Sequence, residues 1–481
     1  MPNCDTLIRN ATVVDGGGAD TFRADVAVGG DRILAIGELR GYMAKNTVDA
    51  RGQVLAPGFI DTHTHDDTSV VRKPEMLPKL SQGVTTVIVG NCGISAAPVH
   101  LENGLPDPMN LLGKREAFCY PTFESYVDAV NAAKPSVNVA ALVGHTALRN
   151  NHMKSLDRAA TPTEIGAMRA QLREALGHGA LGLSTGLAYL SAFSASAEEV
   201  VGLAESLADA GALYTTHMRN EGDNVLPAMQ EAFSVAEKCG IPLVISHLKC
   251  SGVENWGRSD EVLKLLDMAR GAREVGCDCY PYSASSSTLD ARQVDERVTI
   301  TITWSDSHPE VAGQSLGEIA RNWGTTQLEA ANRLQPAGAI YHAMFEKDVR
   351  TILKHPKTMI GSDGLPEDPR PHPRLWGTFP RVLGHYCRDE KLFSLQEAIR
   401  KMTGMPATTF RLKDRGFVRE GNFADLVLFD PEKIRDAATF SDPMRPAEGI
   451  SAVWVNGTLS YRDKAGTGFR AGRFLSRQAS R

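Results

Sequence analysis

Between residues 54 and 362 the chain repeats one pattern, a short apolar run followed by an amphipathic stretch. The apolar runs are 54–60, 84–89, 137–143, 180–184, 212–216, 242–246, 275–280 and 358–362. Runs this short and this largely apolar read as strands buried on both faces, the texture of a parallel sheet. The stretches between them carry helical spacing: Ile165, Met168, Leu172 and Leu176 form one stripe within 163–176, and 225–233 and 260–269 are patterned alike. Eight strand–helix units predict an α/β fold, a (β/α)8 TIM-like barrel with its active site at the C-terminal strand ends.

The two ends have a different texture. Residues 5–56 read as short strands broken at Asp15-Gly16-Gly17-Gly18 and Gly29-Gly30-Asp31-Arg32, and 424–429 and 452–457 look the same. Neither end has enough strands for a closed unit. Together, 1–56 and 415–481 predict one small β-sandwich domain beside a barrel of 57–414. Strands seven and eight are joined by a long connection, from Ser283 to about Ala343, with its own helical stretch at 316–334. A structureless loop of that length is improbable, so an inserted subdomain is expected beside the active-site face.

Composition narrows the partners. The net charge is −5 with no basic stripe, which argues against nucleic acid. No apolar run is long enough for a membrane span, and the start has no secretory pattern. The eight cysteines show no disulfide-like framework, so a cytoplasmic, reducing setting is expected. Cys277 and Cys279 share one strand face and read as packing residues.

The strand ends carry the chemistry. The first run leads into Pro57-Gly58-Phe59-Ile60-Asp61-Thr62-His63-Thr64-His65. On a strand, His63 and His65 would share a face and could clamp a divalent metal, with zinc the best first assignment. Two polar residues closing a strand is the plain alternative. The second strand runs into Gly90-Asn91-Cys92-Gly93, where glycines would let backbone approach a thiolate ligand closely. His217, His247 and Asp363 end the fifth, sixth and eighth strands. One strand-end histidine is more often a hydrogen-bonded core residue; in a barrel, all these positions converge on one mouth.

With those residues in view, the chain is similar to the N-acyl-D-amino-acid deacylase (D-aminoacylase) branch of the amidohydrolase superfamily over essentially its whole length. The marks are 57–65, Gly83-Val84-Thr85-Thr86, 90–95, Thr216-His217-Met218-Arg219, Ser246-His247-Leu248-Lys249, 361–366 and 372–380. The resemblance implies zinc-dependent hydrolysis of a small-molecule N-acyl-D-amino acid. It implies a tight Zn2+ at Cys92, His217 and His247, a second, weaker position at His63, His65 and Asp363, and Asp363 as the proton-transfer residue. Many binuclear relatives bridge their metals with a modified lysine; the fourth strand stretch, 181–186, offers none, and Cys92 would take that place. Lys249, Tyr282, Tyr189 and Arg374 are the implied substrate contacts, and His145 is assigned a supporting role. The small Ala188 with Arg292 opposite leads to an expected preference for acidic side chains such as N-acyl-D-glutamate. A hydantoinase-like cyclic-amide hydrolase and a non-catalytic barrel are the competing readings, and the oligomeric state is left open.

Overall fold

In the computed structural model, which describes residues 2–101, 104–269 and 274–477, the apolar run 54–60 is two strands rather than one. Val54–Pro57 pairs parallel with Asn3–Val13 and antiparallel with Leu426–Phe429, in the sheet of the chain ends. Phe59–Asp61 pairs parallel with Val84–Val89 in the barrel. Between them Gly58 passes so close to Thr85 that an added Cβ would lie 2.2 Å from its side chain. Only glycine fits such an approach. Both halves of the run are fully buried, so apolarity alone could not reveal the change of sheet.

The barrel wall is parallel throughout. Phe59–Asp61, Val84–Val89 and Asn138–Ala141 pair in that order. The third strand then bends at Leu142 and resumes as Val143–Gly144, which leads the second set: Gly182–Gly186, Leu213–His217, Leu243–Ile245, Val275–Cys279 and Thr358–Ile360. Leu142 N–H to Val89 C=O and Leu181 N–H to Ala141 C=O keep the bent strand in the wall. The ring closes where Asp363 N–H bonds His63 C=O at 2.7 Å and His65 N–H bonds Gly364 C=O at 3.0 Å. Inside, Ile60, Ile88, Ala140, Leu181, Leu213, Val244 and Met359 form one packed layer with Phe410 and Leu412. The interior is therefore filled, and the chemistry is confined to the rim. Cys277 and Cys279 face the outer core between strands and helices, as their spacing predicts. The same alternation turns Asp278 inward.

The expected helices are present and longer. Pro162–Gly177 starts with a Thr161–Glu164 capping box, which fixes its first turn. Val225–Cys239 runs well beyond 233, and Ser259–Ala269 matches closely. Among the described residues, no helix is long and apolar enough to cross a membrane.

The long connection between the seventh and eighth strands carries an antiparallel sheet, Ser285–Thr288, Ala337–Tyr341 and Ile300–Ser305 in spatial order. The helical stretch 316–334 is two helices, Leu316–Trp323 and Gln327–Leu334. Gly324 ends the first in the left-handed region, and a Thr326–Glu329 capping box starts the second. Their apolar faces meet the sheet in a separate core that includes Ile302, Leu316, Ile319, Leu334 and Ala339.

Strands from both chain ends join one nine-stranded sheet. Asn3–Val13 is its hub, parallel to Met43–Asp49 and Val54–Pro57 and antiparallel to Phe22–Gly29. The edge strand Arg32–Gly37 is drawn onto the segment before Leu426–Phe429 by Ile33 N–H to Asn422 C=O and Gly421 N–H to Ile33 C=O. The sheet thus curls over its own core of Ile8, Val26, Leu55, Leu426 and Trp454.

Candidate metal centre and active site

Four of the expected ligand residues meet at the barrel mouth. Cys92 Sγ lies 3.1 Å from His63 Nε2 and 3.2 Å from His247 Nε2. Asp363 Oδ1 lies 3.1 Å from His65 Nε2 and 3.5 Å from His63 Nε2. Donor atoms of His63, Cys92, His247 and Asp363 all fall within 4.8 Å of one another, and all four residues are buried. The fifth-strand histidine, His217, stands edge-on to His247 with ring centroids 4.5 Å apart.

The backbone is strained to make this cluster. Cys92, His247 and Asp363 have φ of 54°, 35° and 48°, the left-handed region that side chains other than glycine seldom adopt. Three such residues at one site is the pattern expected where surrounding structure over-determines a functional geometry. Ahead of Cys92, the backbone at Gly90 passes Leu142 so closely that a Cβ would meet its carbonyl oxygen at 2.2 Å. The close approach read from the glycines around Cys92 is real.

One expectation about local geometry is corrected. The first strand ends at Asp61, so His63 and His65 do not share a strand face. They reach Asp363 because Thr64 forms an isolated parallel bridge with Gly364, which lays the segment along the loop after the last strand. The sixth strand likewise ends at Ile245, two residues short of His247.

The electrostatics test whether a cation belongs here. Burial raises the Cys92 thiol, but His63 and His247 beside it hold it well below the usual thiol range. Burial also raises Asp363, yet the Arg374 guanidinium and His247 hold it well below the usual carboxylate range. Burial disfavours a charged His65, and hydrogen bonds to Asp363 and Cys92 outweigh it, raising the imidazole to about 9. His63 is pushed up in the same way by Cys92 and Asp278. Cys92, Glu221, Asp278 and Asp363 are acidic side chains, and Lys249 and Arg374 are the cations placed against them. His63, His65 and His247 are each pushed toward the protonated form, the direction in which a site short of positive charge moves them. A divalent ion supplies the same charge, and soft thiolate with imidazole suits zinc. The donor set therefore fits the metal.

Three residues that sequence reasoning missed hold the cluster in place. Asp278 receives His63 Nδ1 at 3.2 Å and the His247 N–H at 2.9 Å. Its position between two outward cysteines was the available signal. Glu221 lies 3.0 Å from His247 Nδ1 and 3.5 Å from His217 Nε2, and its place four residues after His217 marks it. Lys79, fully buried, reaches Asp61 at 2.8 Å, Thr64 Oγ1 at 2.8 Å, Asp66 at 3.0 Å and Ser362 Oγ at 3.0 Å. It ties the first strand's exit to the last strand's exit, and nothing in Leu77-Pro78-Lys79-Leu80 marks it. Outer carboxylates that orient metal-binding histidines typically contribute about 10- to 100-fold in metal affinity. Glu221→Gln is therefore expected to weaken zinc binding by about tenfold or more, measured by competition with a chromogenic chelator. Unchanged affinity would leave Glu221 as a partner of Lys249 alone.

The expected substrate contacts divide into two groups. Tyr189, Lys249, Arg292 and Asp363 line one open cleft with His217 and His247. Tyr189 packs its ring 4.8 Å from that of His217. Lys249 reaches the cleft, but its ammonium is engaged at 2.7 Å by both Glu221 Oε1 and His247 Nδ1. Arg292 is at the rim, its side chain 45% exposed, and is not a free cation: Asp290 takes it at 2.6 Å. Tyr282 and Arg374 stand behind the cleft rather than in its lining. Tyr282 packs against His372 with ring centroids 5.1 Å apart, and its buried hydroxyl has no protein partner. Arg374 is fully buried, with Nη1 2.8 Å from Asp363 Oδ2 and Nη2 donating to Ser286 C=O at 3.0 Å. His145 lies in a separate buried cluster, 2.9 Å from Glu199, which also pairs with Arg149. Its structural assignment agrees with that contact.

Comparison with known proteins agrees with this arrangement. The amidohydrolase family model matches residues 46–461. The chain is 48% identical over 476 residues to D-aminoacylase of Alcaligenes xylosoxydans xylosoxydans, covering 99% of this chain and 98% of that protein. It is 47% identical over 479 residues to N-acyl-D-glutamate deacylase of the same organism, covering 99% and 97%. In three dimensions it is similar to N-acyl-D-glutamate deacylase from Bordetella bronchiseptica, solved with zinc and a phosphonate mimic of the tetrahedral intermediate. The TM-score is 0.95 at 44% identity, covering 98% of this chain and 100% of that one. The chain belongs to the amidohydrolase family, in the group of the D-aminoacylase and the N-acyl-D-amino-acid deacylases.

Proposed function

We propose that the chain is a zinc-dependent hydrolase that cuts N-acyl-D-amino acids into a carboxylate and a free D-amino acid. The observation that carries this reading is the buried set of His63, Cys92, His247 and Asp363, with donor atoms within 4.8 Å, opening onto the cleft. A zinc ion held there by Cys92, His217 and His247, with His63, His65 and Asp363 offering a second position, would acidify a water and polarise the amide carbonyl. Asp363 accepts the proton of the attacking water and passes it to the leaving nitrogen. Arg374, 2.8 Å away, keeps that carboxylate ionised and aimed. Lys249 lines the cleft and suits the substrate α-carboxylate, with Glu221 orienting it.

The unbroken ligand set speaks against a non-catalytic barrel. A cyclic-amide hydrolase of the hydantoinase kind expects a modified lysine, and Gly182–Gly186 has none. The free thiols of the described cysteines fit a reducing, cytoplasmic setting. The test is a panel of N-acetyl D- and L-amino acids and hydantoins with the zinc-loaded protein. Turnover of the D-compounds supports the proposal; turnover confined to L-compounds or hydantoins ends it.

Lys249→Met gives a finer check. A charged hydrogen bond to a carboxylate contributes about 1.5–3 kcal/mol, so KM should rise by about tenfold or more. The rise should be smaller for an analogue whose α-carboxylate is amidated. Equal losses on both would confine Lys249 to balancing Glu221.

A further inference from the structure

We infer that Asp290 sets the side-chain selectivity of the cleft by occupying Arg292. This deepens the proposed activity and rests on it. Asp290 caps the short turn Ala291–Gln293, accepting the Arg292 N–H at 2.8 Å. The same carboxylate receives Arg292 Nε at 3.0 Å and Nη2 at 2.6 Å, a two-pronged ion pair. The Asp290 N–H in turn bonds the Tyr341 hydroxyl at 2.8 Å, and Tyr341 is buried in the core of the inserted sheet. The fork is thus anchored rather than free to swing.

Arg292 is joined to the metal-centre wall on its other side. Its Nη2 donates to Ala188 C=O at 3.2 Å. The next residue, Tyr189, packs its ring 4.8 Å from that of His217. The guanidinium therefore stands one residue from the ring that flanks the cluster, beside the small Ala188, where a substrate side chain has room. No described residue bonds Nη1, so that edge is open to a ligand. A distal carboxylate arriving there would meet a cation whose charge Asp290 already offsets, with Asp107 adding to the same negative field. A neutral side chain meets no such opposition. Asp290 holds the two classes of substrate near parity, and removing its charge would turn the cleft toward acidic D-residues.

The experiment compares kcat/KM for N-acetyl-D-glutamate and N-acetyl-D-leucine in four proteins: wild type, Asp290→Asn, Asp290→Ser and the double variant Asp290→Asn with Arg292→Ala. Asparagine and serine both retain an N-cap acceptor, so the turn is preserved. The wild-type ratio should lie within about tenfold of one, and both single variants should raise the glutamate-to-leucine ratio by about tenfold or more. In the double variant the rise should vanish, because it acts through Arg292. A ratio that stays put or moves toward leucine overturns the inference. So does a rise that persists without Arg292, or loss of both activities in both single variants. A wild type inactive on both substrates is a different result and strikes the proposed activity itself.

Discussion

Cys92→Ala is expected to lose the tight zinc and nearly all turnover. The thiolate sits at the centre of the cluster, 3.1 Å from His63 Nε2 and 3.2 Å from His247 Nε2. A methyl group there removes the soft anionic donor and leaves imidazoles that repel one another once protonated. No neighbouring thiol can substitute, because Cys277 and Cys279 face the outer core. The loss can be read without any assay of activity. Zinc at a hundred times its dissociation constant should stabilise the wild type by about 2.7 kcal/mol and raise its Tm, whereas the variant should show no shift. Metal analysis of the purified variant gives the second readout. A full equivalent of zinc with near-normal turnover would falsify the assignment.

Asp363→Asn separates proton transfer from metal binding. The substitution keeps size and hydrogen-bonding shape but cannot accept a proton. Turnover should fall by at least ~100-fold, the scale of losing a general base. Zinc at Cys92 should survive, since His247 and His217 are untouched. Stability should fall as well, because Arg374 would be left fully buried without its counter-charge at 2.8 Å. Breaking a buried pair in this way costs about 3–5 kcal/mol. Double replacement with Arg374→Met should recover part of that stability and none of the turnover. Ordinary turnover in Asp363→Asn would assign the base to another residue.

The barrel was legible because its strands are apolar on both faces and its helices keep a clean stripe. The candidate ligands were legible because each one follows a strand. What stayed hidden was local and tertiary. Val54–Pro57 and Phe59–Asp61 belong to different sheets, yet both are uniformly buried, so the sequence between Val54 and Asp61 looks continuous. His63 and His65 converge on Asp363 through the Thr64–Gly364 bridge, a contact between residues that no local pattern links. Asp278 could have been found, since two cysteines packing outward leave the residue between them pointing in. Lys79 could not, because its four partners come from two remote loops. Arg292 was legible as a cation beside Ala188, while its capture by Asp290 depends on side-chain geometry within one turn.

The seam between the first and last strands has a consequence for how the chain is made. Thr64 and Gly364 are 300 residues apart. During synthesis, His63 and His65 therefore leave the ribosome long before the segment that orders them. Val54–Pro57 must likewise wait for Leu426–Phe429 to cover its edge. Such distant pairings slow folding and leave strand edges open to other chains. A nascent chain stalled before Thr358 would hold neither closed wall nor complete ligand set. Ordering of His63 and His65 is thus a late event that reports completion of the barrel, and metal supplied earlier meets only the Cys92, His217 and His247 fragment of its site.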